Sequence, residues 1–260
     1  MAKHRFYAPP EAFSPDGATV ELAPDEAHHL RDALRLKTGA EVFVFDGQGR
    51  EFRCIVRKID RRDDAISLDV AEKVAPQRPE SPLDLTLALA LLKGEKFDLV
   101  VQKATELGAT RIVPLMTRFA DVKLSDQRAV EKRLARWQRL AIEAAKQCGR
   151  ARLPALLLPI AFSDFVENGW TELVAARTAT QTIMFTERDG ESLLQAVAAY
   201  IPLKQAIAVV GPEGGWDDEE IRRARHAGWQ LVTLGGRTLR AETAAIVAVT
   251  LLEHLHGDLR

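Results

Sequence analysis

Residues 206–216 read AIAVVGPEGGW, an apolar run of strand length that leads directly into a glycine-rich turn. The run Ala206–Val210 predicts a strand buried on both faces, as in a parallel sheet. Ligands of parallel sheets bind at the carboxyl ends of the strands, and glycine lets a ligand approach the backbone closely. Asp217 and Glu220 then predict a helix that begins with a capping box. Taken alone, a tight strand-to-helix turn explains these glycines better than a ligand does.

A second glycine-bearing junction repeats this arrangement. The predicted strand Leu231–Leu234 ends in Gly235-Gly236-Arg237, and a long helix begins near Arg240. Glu242 and Thr243 stand in its first turn, where free backbone N–H groups point outward. Two glycine-bearing turns at the carboxyl ends of two strands predict one shared pocket.

Strands and helices alternate from residue 83 onward. The predicted strands are Leu83–Leu92, Arg111–Met116, Ala155–Ile160, Thr182–Thr186, Ala206–Val210 and Leu231–Leu234. Helical spacing follows from Phe97 to Leu107, from about Asp218, and from about Arg240 to Leu255. This alternation predicts an α/β fold in which helices cover both faces of a parallel sheet.

The N-terminal part differs in pattern. Residues 1–72 predict short strands, with a hairpin around Gly47-Gln48-Gly49. Its predicted elements are the helix Pro24–Leu36 and the strands Glu41–Asp46, Phe52–Ile59 and Ile66–Val70. Residues 73–82, KVAPQRPESP, contain three prolines and no apolar period. We therefore expect a linker at 73–82 between a domain at 1–72 and a domain at 83–260.

Composition excludes several classes of protein. The 260 residues are 47% hydrophobic and 28% charged, with a net charge of −1, as in ordinary globular proteins. Cys54 and Cys148 stand far apart without a nearby ligand set, so we expect no metal. Apolar runs are short and the first residues lack the apolar segment of a secretory signal. We expect a cytoplasmic protein that does not enter membranes.

The segment 128–152 is strongly basic within this neutral chain. It contains eight basic residues and two acids, a net charge of +6. On a helical projection, one face is apolar and the opposite face is basic. The basic face is formed by Lys132, Arg136, Arg139, Lys146 and Arg150. An ordinary solvated face and a contact with RNA phosphates both explain it, and the weak compensation by acids favours RNA.

The sequence GPEGG at 211–215 together with LGGRTLRAETA at 234–244 resembles the SPOUT superfamily of methyltransferases. More closely, it resembles the bacterial family that methylates the N3 atom of a uracil in 16S ribosomal RNA. Further matches are Arg5-Phe6-Tyr7, His28-His29-Leu30-Arg31, Leu34-Arg35, KATELG at 103–108, Pro114, Arg118 and Gln147-Cys148-Gly149-Arg150. The resemblance thus spans nearly the whole chain. This chain departs from the family pattern at three positions. Ala120 stands where serine is expected, Lys146 where an acid is common, and Thr238 where an aliphatic residue is usual.

The resemblance implies a PUA-like β-barrel in residues 1–72, followed by a SPOUT α/β domain with a trefoil knot. It also implies a homodimer that holds S-adenosylmethionine in the knot loops and acts on small-subunit ribosomal RNA. The cofactor-binding residues that we expect are Met184, Thr186, Gly211, Pro212, Glu213, Gly214, Gly215, Leu234, Gly235, Arg237, Leu239, Thr243 and Ala244. The expected RNA contacts are Arg5, Arg31, Arg35, Arg118, Lys132, Arg136, Arg139 and Arg150.

The implied chemistry requires an anionic base, because N3 of uracil starts as an imide N–H and is a poor nucleophile until that proton leaves. Arg240 is our candidate for stabilising the charge on the carbonyl oxygens. Glu213 or Glu242 removes the proton or orients Arg240, and the sequence does not choose between them. A purely structural ion pair of Arg240 with one of these acids is nearly as good an interpretation.

Two other functions fit the sequence. One is a SPOUT methyltransferase for another RNA nucleotide. The other is a non-catalytic RNA-binding or ribosome-assembly factor, against which the intact glycine turns and Arg240, Glu242 and Thr243 count.

Overall fold

The computed structural model describes residues 4–59, 66–122, 126–174, 180–197 and 203–259. The chain forms two compact units. The first contains Met1–Glu80 and Ile142–Leu153, and the second contains Ser81–Ala141 and Pro154–Arg260. The sequence-based division did not place residues 142–153 with the N-terminal unit, because chain order alone does not reveal a segment that returns to an earlier domain.

In the first unit, the described residues form a five-stranded sheet. Its strands are β1 (Arg5–Tyr7), β2 (Thr19–Leu22), β3 (Glu41–Phe45), β4 (Glu51–Ile59) and β5 (Ile66–Val74). The order is β1-β3-β4-β5-β2, with β1 parallel to β3 and the other pairs antiparallel. The predicted hairpin of β3 and β4 is confirmed, and β5 extends two residues into the stretch expected as linker. Within the described residues β1 and β2 do not pair, so the sheet is an open half-barrel.

The predicted helix Pro24–Leu36 is shorter than expected. It comprises α1 (Pro24–His28) and one π-helical turn, His29–Ala33. Arg35 has a φ of 54°, in the left-handed region, and this conformation cannot continue a right-handed helix. The helix therefore ends before Leu36.

The sheet of the second unit is parallel, as predicted, and has seven strands in the described part of the chain. They are β6 (Asp84–Ala90), β7 (Arg111–Met116), β8 (Ala155–Leu156), β9 (Ile160–Ala161), β10 (Thr180–Phe185), β11 (Gln205–Val210) and β12 (Gln230–Val232). The order is β12-β10-β11-β6-β7-β8, and β9 also pairs with β7. The predicted strand Ala155–Ile160 is split into two, because Pro159 has no N–H to donate to the sheet.

Helices cover both faces of this sheet. They are α2 (Lys96–Glu106), α3 (Gln127–Cys148), α4 (Phe162–Asp164), α5 (Leu193–Val197), α6 (Asp218–His226) and α7 (Ala241–His256). In β11, Ala208 lies in one core with Val100 of α2 and Ala245 of α7. Its neighbour Val209 lies in the other core with Ile221 of α6. Successive residues of a strand point to opposite faces, so both faces are buried.

Helices α2, α6 and α7 begin within one residue of the predicted positions. The Asp217 carboxylate accepts a hydrogen bond from the Glu219 N–H at 3.0 Å, and the Asp217 N–H donates to the Glu220 carboxylate at 3.1 Å, which confirms the capping box. Arg240 takes the N-cap position of α7. None of the helices in the described part of the chain is long and apolar enough to cross a lipid bilayer.

Candidate active site

A pocket of about 430 Å³ opens at the carboxyl ends of β10, β11 and β12, beside the first turn of α7. This is the end of a parallel sheet at which ligands bind. Its lining residues are Phe185, Thr186, Glu187, Val210, Gly211, Pro212, Glu213, Gly214, Gly215, Trp216, Thr233, Leu234, Gly235, Arg237, Thr238, Leu239, Arg240, Ala241 and Ala244. The two glycine-bearing turns thus lie around one pocket.

Most of the residues expected to bind the cofactor line this pocket. The exceptions are Met184, which is buried within the sheet, and Thr243, which is exposed on α7. Of the three candidate catalytic residues, Glu213 and Arg240 line the pocket and Glu242 does not.

Sequence reasoning missed seven lining residues, namely Phe185, Glu187, Val210, Trp216, Thr233, Thr238 and Ala241. Each is adjacent in sequence to a residue that was selected. Extending the two motifs and the end of β10 by one residue would have found them.

The glycines of the first turn pack against the protein itself. A Cβ added at Gly211 would lie 2.7 Å from the Trp216 ring, and one at Gly214 would lie 2.9 Å from Cβ of Phe119. Gly215 has a φ of 75°. The tight-turn interpretation therefore accounts for these three glycines, although they also line the pocket.

Gly235 behaves differently. It lines the pocket with a φ of 81°, and no described atom lies within 4 Å of the position that its Cβ would take. Space beside its backbone is therefore open to a ligand.

Lys96 lies within electrostatic reach of Glu213 and Arg240, which line the pocket, and of Glu242. Lys96 Nζ is 2.6 Å from Glu213 Oε1, and hydrogen bonding to Glu213 raises the pKa of Lys96. Glu242 raises that pKa further and Arg240 opposes it. No described residue forms an ion pair or hydrogen bond with the Arg240 side chain. Glu213 thus pairs with Lys96, a residue that sequence reasoning missed because it stands 117 positions away.

Two of the residues expected to contact RNA are buried in the first unit. Arg5 is 6% exposed, donates to the carboxylate of Glu51 at 3.1 Å, and also donates to the carbonyls of Ala145 and Arg150. Arg150 is 5% exposed and pairs with Glu80 at 2.8 Å. These arginines hold the first unit together, and a phosphate would have to displace buried partners to reach them.

The basic face of α3 is only partly available. Arg136 pairs with Asp98 at 2.5 Å, and Lys146 pairs with Glu26 at 2.8 Å. The side chains of Lys132 and Arg139 are exposed, and no described residue forms an ion pair with either. Arg136 and Lys146 thus have acidic partners from elsewhere in the chain, and the RNA contact expected of Arg136 stays a prediction.

The remaining expected RNA contacts lie at the surface to different degrees. Arg118 is exposed and its backbone N–H donates to Glu220, so it lies beside the turn that precedes α6. Arg35 is exposed. Arg31 is mostly covered and pairs with Asp32 at 2.8 Å.

Comparison with known proteins first defines the class. Residues 79–253 match the RNA methyltransferase domain family, and residues 22–63 match the RNA methyltransferase PUA domain family. A curated relative from Synechocystis sp., ribosomal RNA small subunit methyltransferase E, is 37% identical over 239 residues, covering 92% of this chain and 74% of that protein. The protein of the same name from Bacillus subtilis is 29% identical and 94% of each chain is covered. The chain belongs to the ribosomal RNA small subunit methyltransferase E family.

Two solved structures are similar over their whole length. The methyltransferase E of Neisseria gonorrhoeae, bound to S-adenosylmethionine, has a TM-score of 0.84 and 28% identity, with 100% of both chains covered. A protein of Legionella pneumophila, solved with the same cofactor, has a TM-score of 0.85 and 31% identity, again with 100% of both chains covered.

Proposed function

We propose that this protein transfers the methyl group of S-adenosylmethionine to the N3 atom of a uracil in 16S ribosomal RNA. The observation that carries the proposal is the pocket at the carboxyl ends of β10, β11 and β12, built from the two glycine-bearing turns. The relatives of this protein are named for the methylation of small-subunit ribosomal RNA. Two proteins of similar structure were solved with S-adenosylmethionine bound.

The residues present fit this cofactor. A volume of about 430 Å³ suits a ligand of its size, since small-molecule pockets measure roughly 300–1,000 Å³. Leu234, Leu239 and Ala244 give an apolar wall, and Glu187 and Thr186 offer acceptors to polar groups of a ligand. Bound there, S-adenosylmethionine would supply a sulfonium methyl group to the nucleobase.

The chain's own residues supply charge and position. The guanidinium of Arg240 is exposed at the pocket without a partner among the described residues, so it is available to a carbonyl oxygen of the uracil anion. Glu242 Oε2 is buried and also has no hydrogen-bond partner among the described residues. Glu213 or Glu242 accepts the N3 proton in this scheme.

Nucleoside mapping tests the proposal directly. Small-subunit RNA from a deletion strain is incubated with the protein and S-adenosylmethionine, and methylated positions are located by mass spectrometry. Methylation at N3 of one uracil supports the proposal. Methylation of another nucleotide favours the alternative SPOUT activity, and no methylation favours a non-catalytic binding factor.

A side chain at Gly235 should block the cofactor. We expect Gly235→Asn to weaken S-adenosylmethionine binding at least about tenfold in calorimetry, equivalent to about 1.4 kcal/mol, because the protein leaves that space open. Gly228→Asn is the matched control, since Gly228 also has a φ of 81° and open space but lies outside the pocket. Equal affinity of the two variants would place the cofactor elsewhere.

We propose that Lys132 and Arg139 contact RNA phosphates. Replacing both with glutamine should reduce the slope of log affinity against log salt by about 1.4–1.8, because each phosphate contact contributes roughly 0.7–0.9. The control exchanges Arg222 and Arg223, which already pair with Glu219 on α6, for glutamine. Filter binding at several salt concentrations measures the slopes. If the Lys132 and Arg139 variant has the same slope as the control, these residues are ordinary solvated surface and do not contact RNA.

We further propose that α7 takes part in a homodimer. Ala245, Ala248 and Leu252 are buried in the core of the second unit, yet Val247 and Leu251 are apolar and only half-buried. A partner chain would cover this excess apolar surface. Light scattering at micromolar concentration should report twice the mass of one chain, and the mass of a single chain would contradict the dimer.

The trefoil knot and the cytoplasmic location remain predictions. The knot is supported by the resemblance of the sequence 234–244, and the location by the relatives' action on ribosomal RNA, which is assembled into ribosomes in the bacterial cytoplasm.

A further inference from the structure

Lys96 is the first residue of α2, at the same end of the sheet as the pocket, because α2 follows the carboxyl end of β6. This strand lies beside β11, whose carboxyl end leads into residues 211–215. The Lys96 ammonium group therefore meets Glu213 at 2.6 Å across two neighbouring strand ends. The side chains are 37% and 25% exposed.

An exposed ion pair of this kind adds little stability, typically about 0–1 kcal/mol. Its position matters more, because Glu213 and Arg240 line the same pocket. A carboxylate near an arginine tends to form a two-point hydrogen-bonded pair with it. In this structure Glu213 instead pairs with Lys96, and no described residue engages the Arg240 guanidinium.

We propose that Lys96 is a positioning residue that, by pairing with Glu213, keeps this carboxylate away from Arg240 and leaves the guanidinium available to the nucleobase anion. The inference rests on the proposed function. Lys96 acts only through Glu213 in this scheme, whatever Glu213 itself contributes to proton removal.

The ammonium group must stay charged for this role. Hydrogen bonding to Glu213 raises the pKa of Lys96, the charge of Glu242 adds to the effect, and Arg240 opposes it. A lysine with a raised pKa remains protonated into more alkaline solution. The pair therefore persists at the pH at which loss of the uracil N3 proton becomes easier.

The test is a double-mutant cycle of Lys96→Met and Glu213→Gln, read as kcat and KM for RNA. We expect Lys96→Met to lower kcat at least about tenfold, a part of the ~10²-fold effect of losing one charge-stabilising group, with KM and cofactor affinity little changed. Lys96→Arg should restore most of kcat because it keeps the positive charge. In the Glu213→Gln background, Lys96→Met should have no further effect, because no carboxylate is left to capture Arg240.

Lys103→Met is a matched control on the same helix. Lys103 pairs with Glu106 at 2.9 Å, and these side chains are 37% and 24% exposed, nearly as in the Lys96 pair. Its kcat should match that of the wild type, and the thermal stabilities of the two methionine variants should agree. A normal kcat in Lys96→Met, an equal loss of kcat in both backgrounds, or an equal loss in Lys103→Met overturns the inference. If the wild-type protein itself fails to methylate the RNA, the proposed function fails instead.

Discussion

Replacing Arg240 with alanine lowers the turnover of uracil methylation by about 10²-fold or more, the scale seen when one charge-stabilising donor is removed from an active site. The reason is the charge that spreads over the uracil carbonyls once N3 loses its proton. The Arg240 guanidinium has no partner among the described residues. The interaction that the variant loses is therefore the one between this guanidinium and the charged uracil carbonyls. Single-turnover transfer of a labelled methyl group measures the effect.

Calorimetry provides the necessary second measurement. Cofactor affinity in Arg240→Ala should stay near that of the wild type, since the apolar wall and the glycine turns remain. Arg240→Lys should recover only part of the rate, because lysine keeps the charge but not the planar fork. Arg222→Ala, on α6 and outside the pocket, serves as the control for loss of one positive charge. Near-normal methylation by a folded Arg240→Ala protein rules out the role.

Replacing Arg5 with methionine lowers the free energy of unfolding by about 3–5 kcal/mol, as expected when one partner of a buried ion pair is removed. Glu51 is 1% exposed and would keep an uncompensated charge in the first unit. The carbonyls of Ala145 and Arg150 would each lose one hydrogen bond as well. Denaturant unfolding followed by circular dichroism measures the change.

The double variant Arg5→Met, Glu51→Leu should recover part of this stability, since the stranded carboxylate is gone. Arg35→Gln is the surface control and should change stability by less than about 0.5 kcal/mol. If Arg5→Met unfolds like the wild type but binds RNA more weakly, Arg5 is an RNA contact after all and the structural role is wrong.

Local features of the fold could be predicted from the sequence. The strand Arg111–Met116 has the predicted bounds, and the capping box at Asp217 forms as expected. Both depend on residues close together in the chain: an apolar run and a side chain three residues from its partner. The pocket followed because two turns at parallel strand ends must lie at one edge of the sheet.

Long-range pairing could not be predicted. Arg5 and Glu51 are 46 residues apart, and Lys96 and Glu213 are 117 apart. A sequence shows which side chains are charged, but the partner of each depends on how distant segments pack. The ion pairs of the basic α3 face could not be predicted for the same reason, because Asp98 and Glu26, the partners of Arg136 and Lys146, lie outside this helix.

Gly211 packs against Trp216 and Gly214 packs against Phe119, so contacts within the protein hold the turn at 211–215 in place. Fixing the backbone of a flexible loop during binding would cost about 1–2 kcal/mol per residue in conformational entropy. Here that loss is already included in folding. The cofactor would bind a preformed site. Its association rate should therefore depend on diffusion and orientation rather than on the rare closure of a loop.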